Sequence, residues 1–281
     1  MEQLLNGVAL GALLMVLSSG LAMIYGLRGV ANFAHGALYM LGAYLAYTVT
    51  ERIGFGLALL VVPIALALVG VVLELVFFRP LQHRSHIELG LVTFGLAMMG
   101  ERLVTLIWGE GTLRVLPPEF LQGTTSILGS DYPTYRLAII VIALVMAAVL
   151  VLLLRFTTIG LHIRSASQDI ETAAIMGIDA NRVSLIVVSV GSALAGLAGT
   201  LAAPYISLNP GMGDVFLITS LIVVVVGGVG SIAGAMVAGM GVGIIQTIGA
   251  VYLPSFAVLL PYVLLVVVLL WRPQGLAGRK V

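Results

Sequence analysis

His83 and His86, three apart in "RPLQHRSHIELG", have the spacing to share one helix face and touch a metal ion. Glu88 is the one further ligand close by in sequence, and Arg79 and Arg84 flank the pair, so a basic loop is the better reading and no metal site is expected. Glu74, Glu101 and Arg102 fall inside apolar runs, where an ionisable side chain is costly and raises a functional hypothesis by default. Glu74 precedes Arg79 near the end of its run and is expected to pair there or to reach the interface. Glu101 and Arg102 point about 100° apart on a helix and cannot satisfy each other simply, so each needs a second helix, a partner subunit or a polar cavity. A zwitterionic solute, which needs one acceptor and one donor, suits such a pair. His35, in "NFAHG", reads first as a hydrogen-bonded histidine holding a break between two runs and only second as a solute ligand.

What is missing narrows the chemistry further. With no cysteine, disulfides, thiolate catalysis and cysteine metal sites are excluded. The lone lysine is Lys280, so the chain has no Gly-x-x-x-x-Gly-Lys-Ser/Thr loop for nucleotide phosphates. No nucleophile–base set falls in an apolar run. The chain is expected to be no enzyme and to hold no cofactor.

The elements that must position these residues are set by composition. The chain is 60% hydrophobic and 9% charged, whereas soluble domains carry roughly a quarter charged residues. Apolar runs lie near 4–27, 34–50, 55–78, 88–108, 136–156, 183–203, 215–230, 232–251 and 255–271, mostly long enough for a helix to cross a bilayer. The expected fold is an all-α polytopic membrane protein of about eight transmembrane helices, with eight or nine apolar runs of which some are broken or re-entrant. The 34 glycines suit close helix packing in lipid. "MEQLLNGVAL" lacks the basic start of a cleavable signal, so the first run is expected to stay as an anchor.

Basic residues in short loops mark the cytoplasmic side. Arg28, Arg79, Arg84, Arg155, Arg164, Arg182, Arg272, Arg279 and Lys280 then lie inside, while Arg52, Arg114 and Arg136 lie outside. The N-terminus is expected outside and the C-terminus in the cytoplasm. Residues 1–281 are expected to form one transmembrane domain, with a cytoplasmic loop at 157–182 and an external loop at 109–135 that has the turns and β-formers of a small cap.

The inner loop contains "SASQDIETAAIMGIDANR", residues 165–182. On a helix, Ile170, Ala173, Ala174, Gly177 and Ile178 share one face, while Glu171 and Thr172 share the other with Ile175 and Met176. Two apolar side chains on the polar side call for a second surface to bury them.

"ETAAIMG" resembles the coupling motif of bacterial ABC importer permeases, Glu-Ala-Ala followed after three residues by Gly. Glu171, Ala173 and Gly177 fit it, and Thr172 departs. "YGLRGVANFAHGALYMLGAYLA", "GLHIRSASQDIETAAIMGIDANRVSLIVVSVGSALAGLAG" and "GGVGSIAGAMVAG" extend the resemblance to the permeases of branched-chain amino acid importers. That resemblance implies that residues 168–178 dock on an ATPase, with Asp169, Glu171, Ala173, Ala174, Ile175, Met176, Gly177 and Ile178 at the contact. It implies as partners a second homologous permease, two cytoplasmic ATP-binding subunits, an external binding protein and membrane lipid, and no nucleic acid. Branched-chain or related hydrophobic amino acids are the implied solutes, with urea, amides or aromatic acids as alternatives within the family and an ion-coupled secondary carrier as the alternative outside it. Breaks in spans can aim backbone groups at a solute. The translocation path is therefore expected at Asn32, His35, Gly36, Glu101, Arg102, Gly227, Gly228 and Gly230, in the outer half of the pore.

Overall fold

The computed structural model describes residues 2–82, 84–127 and 130–278. Every apolar run becomes helix. α1 (Glu2–Arg28), α2 (Ala34–Ile53), α3 (Phe55–Leu73, continued by a π turn at Glu74–Phe78), α4 (His86–Trp108) and α5 (Thr134–Phe156) come first. The short α6 (Thr158–Ala166) and α7 (Ile170–Ile175) follow, then α8 (Ala180–Ala202), α9 (Met212–Gly227), α10 (Ile232–Tyr252) and α11 (Leu260–Trp271). Among the described residues six helices are long and apolar enough to cross a membrane: α1, α3 with its π turn, α4, α5, α8 and α10. α9 and α11 are apolar but shorter, at 16 and 12 residues. Pro254 and Pro261 bracket the late start of α11, where a short 3-10 turn (Pro254–Phe256) stands in place of helix.

α1 fills the centre of the bundle, with buried residues on all its faces from Gly11 to Ile24. Glycines let it lie backbone to backbone against its neighbours, the contact that stabilises helix pairs where lipid offers no hydrophobic drive. Gly7 and Gly11 rest on Ile244 and Met240 of α10, and Gly26 on Gly230, so the two helices run antiparallel. A Cβ on Gly243 would stand 2.2 Å from the Gly11 nitrogen. α8 crosses the other side of α1 at Gly20 and Gly191, meets α2 where Gly199 touches the Tyr39 carbonyl, and packs on α3 through Gly70 and Ser192.

Two ends emerge. At one, Arg28 reaches Ser184 near the start of α8, His86 at the start of α4 lies beside Gly29, and the 276–277 backbone bonds to Val226 and Gly227. At the other, Arg136 donates to Asn6, Trp108 Nε1 donates to Thr48 (2.9 Å), and Tyr135 donates to the Leu201 carbonyl (2.8 Å). Arginines concentrate at the first end. At the second, the loop after α4 carries a two-stranded hairpin, β1 (Thr124–Ile127) with β2 (Ser130–Pro133). Leu113 and Leu208 exchange two backbone hydrogen bonds there, joining this loop to the one before α9.

Candidate functional site

The arginine-rich end presents the candidate coupling surface. After α5 the chain turns sharply into α6; a Cβ on Gly160 would stand 2.3 Å from the Leu154 carbonyl oxygen, so only glycine fits. Thr157 caps α6 by accepting the Gly160 N–H. Asp169 caps α7, accepting from the N–H of Glu171 (3.0 Å) and Thr172 (3.1 Å) and from the Thr172 hydroxyl. Those bonds, the Thr172 hydroxyl foremost, hold the Asp169 carboxyl below its ordinary range. At the other end Gly177 sits at φ +86°, where L side chains are strained, and its N–H meets the Ala174 carbonyl while Ile178 N–H meets that of Ala173. This is a Schellman closure, which favours glycine at that place.

Both ends of α7 are thus fixed by local sequence, and the helix between them is six residues long, shorter than the 168–178 expected. Its inward face is also smaller than the pattern suggested. Ala173 is buried and Ile178 half-buried, whereas Ile170, Ala174 and Gly177 are exposed with Glu171 and Thr172. One and a half turns cannot hide a full apolar stripe, so α7 rests on the bundle through little more than one methyl group. Ile175 and Met176 stand 86% and 77% exposed.

Behind α7 lies a buried polar network that the sequence did not announce. Arg28 donates to Glu74 (2.5 Å) and Ser184 (2.6 Å), reaches the Phe78 carbonyl (3.4 Å) and stacks over the Phe78 ring. Its side chain is 11% exposed and that of Glu74 1%. Glu74 therefore pairs across 46 residues with Arg28 and neither pairs with Arg79 nor reaches water. The π turn begins at Glu74, whose carbonyl accepts the Arg79 N–H five residues on. A cavity of about 200 Å³, lined by Arg28, Arg84, His86, Ile170 and Ser184, separates this network from α7. The signal available in sequence was a lone acid and a lone base at the same end of two apolar runs.

The residues expected along a path do not converge. Asn32, His35 and Gly36 form the break before α2 at the middle of the bundle. His35 Nε2 pairs with the Leu17 carbonyl (3.0 Å), Asn32 caps the turn by accepting from Ala34 N–H, and a Cβ on Gly36 would meet the Gly213 carbonyl. Gly227, Gly228 and Gly230 lie instead at the arginine-rich end, where Gly230 rests on Gly26. The carbonyls of Val226 and Gly227 are taken by Leu276 and Ala277, so the tail has closed the bare backbone expected there. Glu101 is half-buried and Arg102 exposed on α4, just past Gly100, whose added Cβ would stand 3.0 Å from that of Ala37 beside the α2 break. His83 lies outside the described residues, and among the described ones no three His, Asp or Glu side chains gather as a metal site.

A bundle of membrane-length helices around a filled centre, with a capped apolar turn held out at one end, is the architecture of a multi-pass membrane protein. The chain belongs to the family of the branched-chain amino acid transport system permease component, whose family model matches residues 3–269. It is thus an ABC permease, one component of a larger transport system. It is 28% identical over 298 residues to the high-affinity branched-chain amino acid transport system permease protein LivH of Escherichia coli strain K12, covering 99% of this chain and 96% of that one. It is 29% identical to the corresponding BraD of Pseudomonas aeruginosa, with the same coverage. Among solved structures, PsaBC from Streptococcus pneumoniae in complex with Fab shares the fold, with TM-score 0.53 at 14% identity over 98% of this chain and 93% of that one.

Proposed function

We propose that this chain is half of the translocation pore of an ATP-driven importer for branched-chain or related hydrophobic amino acids. Its arginine-rich end faces the cytoplasm, and α7 docks there in a cleft on an ATPase subunit. The observation that carries the reading is the exposure of Ile175 and Met176 on a helix whose two ends are both capped: an apolar tip held rigidly away from its own bundle. The solute class is taken from the relatives' names. The missing lysine loop puts nucleotide binding in another subunit, and the engagement of Glu74 by Arg28 removes one of the two acids an ion-coupled carrier would use as a relay. The second permease and an external solute-binding protein, the latter seated on the hairpin end, complete the assembly.

The test is Ile175→Asp and Met176→Asp in the assembled transporter. Burying an unpaired carboxylate at the docking contact is strongly unfavourable, so leucine-stimulated ATP hydrolysis and co-purification of the ATPase should fall at least tenfold while the bundle keeps its thermal midpoint. Wild-type stimulation in both variants would remove α7 from the contact.

A further inference from the structure

α3, α4 and α5 form much of the outer wall of the bundle, and two of them have the composition that lipid asks for. Over their most apolar 18 residues α3 and α5 have mean hydropathies of 2.8 and 3.5. α4 is buried no more than α5, yet its mean hydropathy is only 1.4. Its open face carries Leu91, Phe94, Met98, Arg102 and Leu106 at helical spacing, with the half-buried Glu101 beside it. Among the described residues the ion pairs are Arg28–Glu74 and Arg182–Asp179; Glu101 and Arg102 join neither. Arg102 stands six residues before the end of α4, about 9 Å below it at 1.5 Å per residue, a depth at which an arginine facing hydrocarbon is costly.

The centre of the bundle adds the second observation. α1 occupies it with backbone contacts to α8 and α10, so a solute has no course through the middle of this chain. A path must run along the outside and be closed there by another protein.

We propose that the open face of α4 is the surface on which this chain meets a second permease subunit of the same fold. This rests on the reading of the chain as half of a pore. Two permeases of one fold meet about a pseudo-two-fold axis, and the partner can present a base to Glu101 and an acid to Arg102 across it. Glu101 and Arg102 then find across the axis the partners they lack within the chain, and the solute path runs beside them. α3 and α5 keep their open faces to lipid.

The chain has no cysteine, so single cysteines report without background. Met98→Cys and Leu106→Cys on α4, with Val145→Cys and Leu152→Cys on α5, are placed in the assembled transporter in liposomes. They are treated with a lipid-phase maleimide and, separately, with a thiol-attached benzophenone. The α4 positions should react with the lipid-phase reagent at least tenfold more slowly than the α5 positions and should photo-cross-link to a permease subunit. Labelling of the α4 positions as fast as the α5 positions, or cross-linking to lipid alone, overturns the proposal. Leucine-stimulated ATP hydrolysis in the same liposomes reads the functional assignment separately. Hydrolysis that persists while α4 labels freely sinks the interface and leaves the importer standing. Absent hydrolysis with a protected, cross-linked α4 does the reverse.

Discussion

Replacing Glu74 by Gln keeps the shape of the side chain and removes only its charge. Arg28 would then be held, 11% exposed, against the Phe78 ring, the Phe78 carbonyl and the Ser184 hydroxyl with no counter-ion. Breaking a buried pair from one side costs about 3–5 kcal/mol, which is roughly two to three and a half powers of ten in the folding equilibrium. Replacing both partners, Arg28→Met with Glu74→Met, removes the stranded charge and should cost clearly less than the two single changes added together. Ser184→Ala alone takes one hydrogen bond from a charged donor, about 1.5–3 kcal/mol. The assay is reversible unfolding in mixed micelles with increasing SDS, followed by fluorescence of Trp108 and Trp271, with wild type, Arg28→Met, Glu74→Met and the double variant arranged as a double-mutant cycle. A Glu74→Gln protein within about 1 kcal/mol of wild type would refute the reasoning, since that is the range of exposed pairs. So would a coupling energy near zero.

Two further outcomes follow from glycines in opposite circumstances. Gly177→Ala meets no steric obstacle, but its φ of +86° costs an L residue about 1–2 kcal/mol; the closure of α7 should loosen and leucine-stimulated hydrolysis fall several-fold, with the thermal midpoint of the bundle unchanged. Gly243→Ala should destabilise the bundle by about 1–3 kcal/mol through overpacking against Gly11, whereas Gly241→Ala, two residues away with open space, should be neutral or gain up to about 1 kcal/mol of helix propensity, both read by thermal unfolding in detergent.

Much of the fold was legible because lipid imposes a local rule. Each helix must be apolar over its own length, and the run boundaries read from sequence fall within three residues of most helix ends. The start of α11 is the exception, since Pro254, Pro261 and the short turn between them interrupt a run whose composition never changes. α7 was legible as a place but not as a length, because its limits depend on how Asp169 and Gly177 close its ends. Arg28 shows what sequence hides. Counted among the basic residues of a loop, it is in fact a buried partner of Glu74, and nothing local links positions 46 residues apart. The turn at Gly227–Gly230 was legible as a break but not as a covered one, because the tail that takes its carbonyls returns from a later part of the chain.

The wide turn at Glu74 has a consequence for angular register along α3. Ala58, Val62, Leu66 and Gly70 are buried at intervals of four. In a regular helix four residues overshoot a full turn by about 40°, so such a stripe winds steadily around the axis and would soon leave the face of α8. A turn closed five residues on takes up one residue more and winds the stripe back. Glu74 and Phe78, the next two members of the series, are both buried as a result, one against Arg28 from the side and the other beneath its guanidinium. The π turn thus acts as a phase correction: it keeps the seam between α3 and its neighbours straight to the arginine-rich end, where loss of a single residue from the turn would swing Phe78 out from under Arg28.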